Sequence, residues 1–246
     1  VRRAPGPGLD LGVYAAAVPL LLRNPSIVVV PLLMAVIGVL VRLAVAPSGG
    51  GIAGNLTAGL GGFIAILLEL FGLGAACIIA DDAWRHGRAS FDNGWTEARR
   101  RGGEILFAAL GITLLFWVAQ YAGALIGGVI PFLDLLLMVV AALFLIWAIP
   151  AAAIGGVPGG AAIQISIDRV RANPAAAVLA TAVVIALFVF ALPIASAQLA
   201  ILLLPYSGGF TMLGALIGAL LQAIALGYVA LVLAKTYTDA SFTRRW

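Results

Sequence analysis

Six apolar runs dominate this sequence, each long enough to cross a bilayer at ~20 residues per crossing. They cover about Ser26 to Ala46, Asn55 to Ala80, Gly103 to Gly128, Pro131 to Val157, Pro174 to Leu203 and Gly208 to Ala234. A backbone in hydrocarbon must satisfy its own N–H and C=O groups, so the runs are expected to be helices. Turn residues separate three pairs: Pro47-Ser48-Gly49-Gly50-Gly51, Gly127-Gly128 with Pro131, and Pro205-Tyr206-Ser207-Gly208-Gly209. Only 10% of the 246 residues are charged and 63% are hydrophobic, with mean hydropathy +1.16. A soluble domain carries about a quarter charged residues. Such a chain cannot cover a soluble surface, which excludes a soluble enzyme, a disordered chain and a disulfide-stapled secreted domain. The single cysteine, Cys77, excludes an internal disulfide, and the single histidine, His86, excludes paired-His haem ligation. The expected fold class is an all-α integral membrane protein, with residues 1–246 forming one transmembrane domain of six helices.

Charge orients the spans. Arg2, Arg3 and Arg23 precede the first run, and Arg85, Arg88, Arg99, Arg100 and Arg101 lie between the second and third. Arg169 and Arg171 lie between the fourth and fifth, and Lys235, Arg244 and Arg245 follow the sixth. Only Arg42 among the 14 basic residues falls elsewhere. The positive-inside rule then puts both termini in the cytoplasm. Lys235 is the only lysine beside thirteen arginines in a Gly-, Ala- and Pro-rich chain, a codon bias of GC-rich bacterial genomes. The expected location is the bacterial cytoplasmic (inner) membrane, crossed six times.

The segments on the basic side carry helical spacing of their own. Leu11, Tyr14, Val18 and Leu21 precede Arg23-Asn24-Pro25; Phe91, Trp95 and Ala98 precede Arg99-Arg100-Arg101-Gly102; Ile163, Ile167 and Val170 precede Arg171-Ala172-Asn173-Pro174. Each reads as a short amphipathic helix ending in Arg and a breaker, before a membrane hairpin. The unit recurs three times, at about 9–80, 89–157 and 161–234. The helices are expected to lie in the headgroup layer. Arg23, Arg99, Arg100, Arg101, Arg169 and Arg171 would form a lipid-facing basic rim for anionic headgroups. Trp84 and Trp95 would anchor at the interface. Topology accounts for the basic residues, so nucleic acid is not an expected partner.

The fourth span closes on Ile149-Pro150-Ala151-Ala152-Ala153-Ile154. A helix follows over Ala161 to Arg169, then Asn173-Pro174 and another span. With the Leu22-Arg23-Asn24-Pro25 entry and Tyr237-Thr238-Asp239 near the end, this resembles the membrane domain of glycerophosphoryl diester phosphodiesterases and YciC-like bacterial membrane proteins. The chain departs from that pattern in carrying Gly155-Gly156 where an acidic residue usually follows the Pro stop. The resemblance implies a six-helix membrane module without the soluble barrel that carries phosphodiesterase chemistry.

Few polar residues sit within the spans. Glu69 lies 12 residues before Asp81, ~18 Å into the membrane. A charged acid there needs a partner or the bundle interior. Gln222 lies at similar depth and is a candidate partner if Glu69 is a neutral, hydrogen-bonded packing residue. A proton or cation site and a neutral packing residue are both open readings of Glu69. Arg42 and Asp134 lie at matching depth near the other boundary, as an ion pair or as a snorkelling Arg and a helix-capping Asp. The Gly123/Gly127 and Gly214/Gly218 pairs point to close helix approach, with a channel lining as the alternative. Gly155 to Gly160 lacks the Lys and Ser/Thr of a phosphate loop. Asp81, Asp82, His86 and Asp92 match no metal-ligand spacing, and the lone His cannot complete a nucleophilic triad. No catalytic, cofactor or metal site is expected. The first functional expectation is a non-enzymatic structural or accessory subunit of a membrane complex, in contact with other membrane proteins. The rival is a small transporter-like component for a lipid or small solute, with Glu69, Gln120, Gln198 and Gln222 as raw material for a polar path.

Overall fold

A computed structural model describes residues 10–45, 52–126, 132–203 and 210–242. The turns around Pro47, Gly127 and Pro205, the terminal arginines Arg2, Arg3, Arg244 and Arg245, and Gly127 itself lie outside the described residues. Among the described residues the fold is all-helical, and six helices are long and apolar enough to cross a membrane.

The chain begins with α1 (Leu11–Arg23) and α2 (Ser26–Ala44). The Asp10 carboxylate caps α1 by accepting from the Gly12 amide at 2.8 Å. Asn24 ends it and is buried. Its side-chain amide donates to the Leu20 carbonyl at 3.0 Å, and its side-chain oxygen accepts from the Ala89 amide at 2.8 Å. One Asn thus satisfies two chain breaks 65 residues apart.

Helix α3 (Ile52–His86) runs past the expected end at Ala80. Asp81–Arg85 and Asp82–His86, both 2.7 Å and spaced i,i+4, support the extra turn. Gly87, at φ +74°, then turns the chain into α4 (Phe91–Arg100), which Ser90 caps. α5 (Gly102–Ile126) follows, then α6 (Leu133–Leu145) and the short α7 (Ala148–Ala153). The fourth span is therefore interrupted at Trp147. Pro150 has no N–H to donate back to residue 146, which frees backbone groups at the break. The buried Ser166 hydroxyl repairs it by accepting from the Trp147 amide at 3.1 Å and donating to the Phe144 carbonyl at 2.7 Å.

Helix α8 (Gly159–Ala172) supplies that serine. The fifth span comprises α9 (Pro174–Ile185), a π-helical segment (Ala186–Ala191) and α10 (Leu192–Leu203). Pro193 explains the widening, because its ring displaces the carbonyl of Val189 one turn back. Finally α11 (Phe210–Phe242) continues beyond Ala234, helped by the Lys235–Asp239 pair at 2.8 Å.

Helices α2, α3 and α11 form the closest-packed group. Small residues permit it. A Cβ on Gly72 would lie 3.2 Å from Pro31 and Met34, and one on Gly38 would lie 3.4 Å from Ala65. The core continues through α5, α7 and α8 to the fully buried Trp147, whose indole N–H donates to Thr236 at 3.1 Å. A Cβ on Gly159 would come within 2.7 Å of the α5 backbone at Phe107 and Ala108, so α8 starts flush against that helix. The fifth span lies at the margin of this packing. Only 22% of its apolar window is buried, against 56% for the sixth.

Candidate functional site

Helix α3 puts Ile66, Glu69, Leu70 and Leu73 on one face, at spacings of three and four. Helix α11 opposes it with Gln222, Leu226, Val229 and Leu233. Ile112 and Phe116 of α5, Ala142 and Leu145 of α6, and Ile149 of α7 close one side. Val184 of α9 and Phe188 of the π segment close the other. Together they line a partly open cavity of about 280 Å³. Its walls are hydrocarbon except for Glu69 and Gln222.

Glu69 is held by a cation. An Arg42 guanidinium nitrogen donates to a Glu69 carboxylate oxygen at 2.9 Å. Gln222 lines the same cavity beside this carboxyl group. The expected partnership of Arg42 with Asp134 is therefore corrected: the structure gives Arg42 to Glu69. Asp134 lies exposed in the first turn of α6, where its charge faces a helix N-terminus. The register explains why depth alone misleads. Gly38 packs level with Ala65, and Gly61 level with Val41 and Val45. The Arg42 backbone thus sits roughly 10 Å nearer the helix end than that of Glu69. Its long side chain runs inward rather than snorkelling outward, because the carboxylate lies in that direction. The side chains are 49% and 19% exposed, so the acid is the more enclosed partner.

This arrangement has a defined chemistry. Arg42 and Glu69 cancel in charge, and Gln222 adds an amide. The cavity can receive an apolar body and offer hydrogen bonds to an uncharged polar head. It holds no nucleophile beside a base. Among the described residues no group of three or more His, Cys, Asp or Glu is placed to hold a metal.

A second cavity, about 360 Å³, opens at the arginine-rich end and is lined by Asp81, Asp82, Arg85, His86, Asn93, Glu97 and Arg101. These charges serve each other. Asp81 pairs with Arg85 and Asp82 with His86, while the second Asp82 oxygen accepts from the Ser90 amide at 3.2 Å. Glu97 pairs with Arg100 at 2.7 Å and with Arg101. The Arg100 hydrogen bond first, and the Arg101 charge after it, hold the Glu97 carboxyl below the usual carboxylate range. The site reads as a clamp between α3, α4 and α7.

The basic rim divides. Arg23, Arg99, Arg100 and Arg171 are exposed, as a headgroup-facing rim requires. Arg101 and Arg169 are not free for lipid. Arg101 donates to the carbonyls of Ala153 and Ile154 at 2.8 and 2.6 Å, at the C-terminus of α7 where the helix dipole favours a cation. Arg169 donates to the Tyr237 carbonyl at 2.7 Å and stacks on its ring at 3.5 Å. The Trp84 indole N–H donates to the Leu231 carbonyl at 2.9 Å. Trp95 packs between Phe71 and Phe91. Of the glycine pairs, Gly123 sits hard against the Asp134 backbone, whereas nothing lies within 4 Å of a Cβ on Gly218. Close approach thus holds at Gly123 and not at Gly218. The helix-break repair by Ser166 had no signal in the sequence beyond a polar residue on the apolar side of a short helix.

Searches against protein-family models, curated proteins and solved structures return no match to this chain.

Proposed function

We propose that this chain is a non-enzymatic, multi-pass protein of the bacterial cytoplasmic membrane that holds a lipid-like molecule with an uncharged, hydrogen-bonding head. It would act as the binding component of a lipid or small-solute handling system. The observation that carries this reading is the apolar cavity of about 280 Å³ with Glu69 and Gln222 as its polar groups. Arg42 neutralises Glu69, so a charged head would gain no net attraction there. The cavity wall contributed by α11 runs from Gln222 to Leu233, ~16 Å at the helical rise, about the depth of one leaflet's hydrocarbon. The arginine-rich end faces the cytoplasm on the strength of the basic-residue distribution. Helices α1, α4 and α8 each precede a hairpin of spans, which supports the threefold unit and an interfacial position for these helices.

A second reading is an accessory subunit of a membrane complex. Its support is the outer face of the fifth span, where Val178, Val189, Phe190 and Ile194 are exposed and a neighbouring helix would find a continuous apolar strip.

The test is thermal unfolding of the protein in nanodiscs with decanol, and with decane as the headless control. Decanol should raise Tm by several degrees and decane by less. Ala142→Phe, which fills the cavity, should remove the decanol effect. No shift with decanol, or the same shift in the filled variant, would overturn the binding reading and leave the accessory-subunit reading in its place.

A further inference from the structure

The fifth span has a cavity on each of two faces. Val184 and Phe188 line the one that holds Glu69, while Leu187 and Ala191 line a separate apolar groove of about 660 Å³. Its remaining walls come from α1 and α11. Val18, Leu21 and Leu22 of α1 form the end nearest the arginine-rich side, and Ile224 and Tyr228 of α11 form the flank. The Tyr228 hydroxyl is already spent, donating to the Tyr14 carbonyl at 3.2 Å. The groove therefore offers an occupant hydrocarbon almost throughout.

Its length is informative. Along the fifth span it runs from Val183 to Ala195, ~18 Å at the helical rise. One leaflet of bilayer hydrocarbon is ~15 Å deep. The π segment widens the helix within this stretch, and wide turns of this kind recur at functional sites. At the mouth, Leu22 is followed by Arg23, which is exposed and ends α1. Among the described residues no ion pair engages the Arg23 guanidinium. Arg23 thus follows a groove-lining residue by one position, from where its side chain can reach the phosphate of a lipid whose chain lies in the groove.

We propose that the α1/fifth-span/α11 groove seats one acyl chain of an anionic phospholipid from the leaflet at the arginine-rich end, with its phosphate against Arg23. This site is distinct from the Glu69 cavity and does not depend on what that cavity binds.

The test uses the full-length protein in nanodiscs of phosphatidylglycerol or of phosphatidylcholine with matched chains. Each contains a trace of the same lipid with a diazirine on one acyl chain, and adducts are mapped by mass spectrometry. Adducts should concentrate on groove residues such as Leu187 and Ile224, and be about fivefold more abundant with phosphatidylglycerol, the worth of one interfacial Arg. Arg23→Gln should erase that preference while retaining groove adducts. Ala225→Phe, which narrows the groove, should cut them several-fold with the helical circular dichroism unchanged. Adducts spread evenly over lipid-exposed residues such as Phe107 and Val118 would overturn the site. Equal labelling by the two lipids in the wild type would overturn the role of Arg23. Groove labelling unchanged by Ala225→Phe in a folded protein would overturn the seat of the chain.

Discussion

The fifth and sixth spans are both apolar, yet they are built for opposite purposes. The sixth, in α11, is 56% buried in its apolar window and uninterrupted over 33 residues. It receives hydrogen bonds from Trp84, Trp147 and Arg169. The fifth is 22% buried, carries a π segment with no buried side chain, and borders a cavity on two faces. Hydropathy does not separate them: 2.3 for the sixth and 2.8 for the fifth. Small residues do not separate them either, since the fifth run holds ten alanines; what separates them is which residues meet neighbours, together with polar anchors. Ala219, Ala223, Ala230 and Ala234 let neighbours close on α11, and its end next to the core meets Trp and Arg donors. The fifth span offers Leu, Val and Phe to its surroundings. One span is frame and the other is adaptable wall.

The largest expected effect tests the frame. Trp147→Ala empties a fully buried site and removes the bond to Thr236, and should cost ~3–5 kcal/mol in a membrane unfolding measurement such as steric trapping. Phe190→Ala on the wall should stay within ~0.5 kcal/mol of wild type, because that ring is 60% exposed. Equal costs at the two sites would erase the contrast.

An intermediate effect is expected at the polar pair. Glu69→Gln leaves Arg42 without its counter-ion. Breaking a fully buried pair costs ~3–5 kcal/mol, but Arg42 is half-exposed and its chain can swing back toward the helix end. The expected loss by the same measurement is therefore ~1–2 kcal/mol, with most of it recovered in the Arg42→Gln, Glu69→Gln double variant. A double variant worse than the sum of the singles would show that the pair is not the interaction that matters.

The smallest effect concerns pH. The Glu97 carboxyl is held below its usual range, so its pairing contributes fully above the unfolded value near ~4.3 and is lost as pH falls through the lowered folded value. Acidification below about pH 4 should loosen α4 from α3 and α7, visible as faster amide exchange at Ala98 and Arg101. Because the pair is partly solvated, the contribution is at most ~1 kcal/mol. In Glu97→Gln this acid-dependent part of the exchange should vanish; its persistence would place the titration elsewhere.

The six long helices were legible because length and hydropathy are summed over ~20 residues, and single positions cannot spoil them. The short helices α1, α4 and α8 were legible from their spacing and their Arg-plus-breaker ends. The extensions of α3 and α11 were not, because Asp81, Asp82, Lys235 and Asp239 look like loop charges until paired at i,i+4. Pairing by depth failed at Arg42, since an Arg side chain spans several ångströms along the helix and follows the nearest buried carboxylate. Glu69, as the acid deepest in its span, needed a cation, and Arg42 was the one basic residue away from the basic-side segments. That reasoning by charge finds the pair that reasoning by depth missed. Arg101 and Arg169 were legible as basic and not as helix-end clamps, because their acceptors are backbone carbonyls 52 and 68 residues away.

The most direct test of the cavity as a binding site is protection of its wall. Phe188→Cys places a thiol in the cavity, and Phe190→Cys places one on the outer face of the same span. The native Cys77 is fully buried and serves as a silent background. Modification by a membrane-permeant maleimide is followed in nanodiscs with and without decanol. The expected result is that decanol slows labelling at position 188 several-fold and leaves position 190 unchanged. Equal slowing at both positions, or none at 188, would contradict a ligand seated against Glu69 and Gln222.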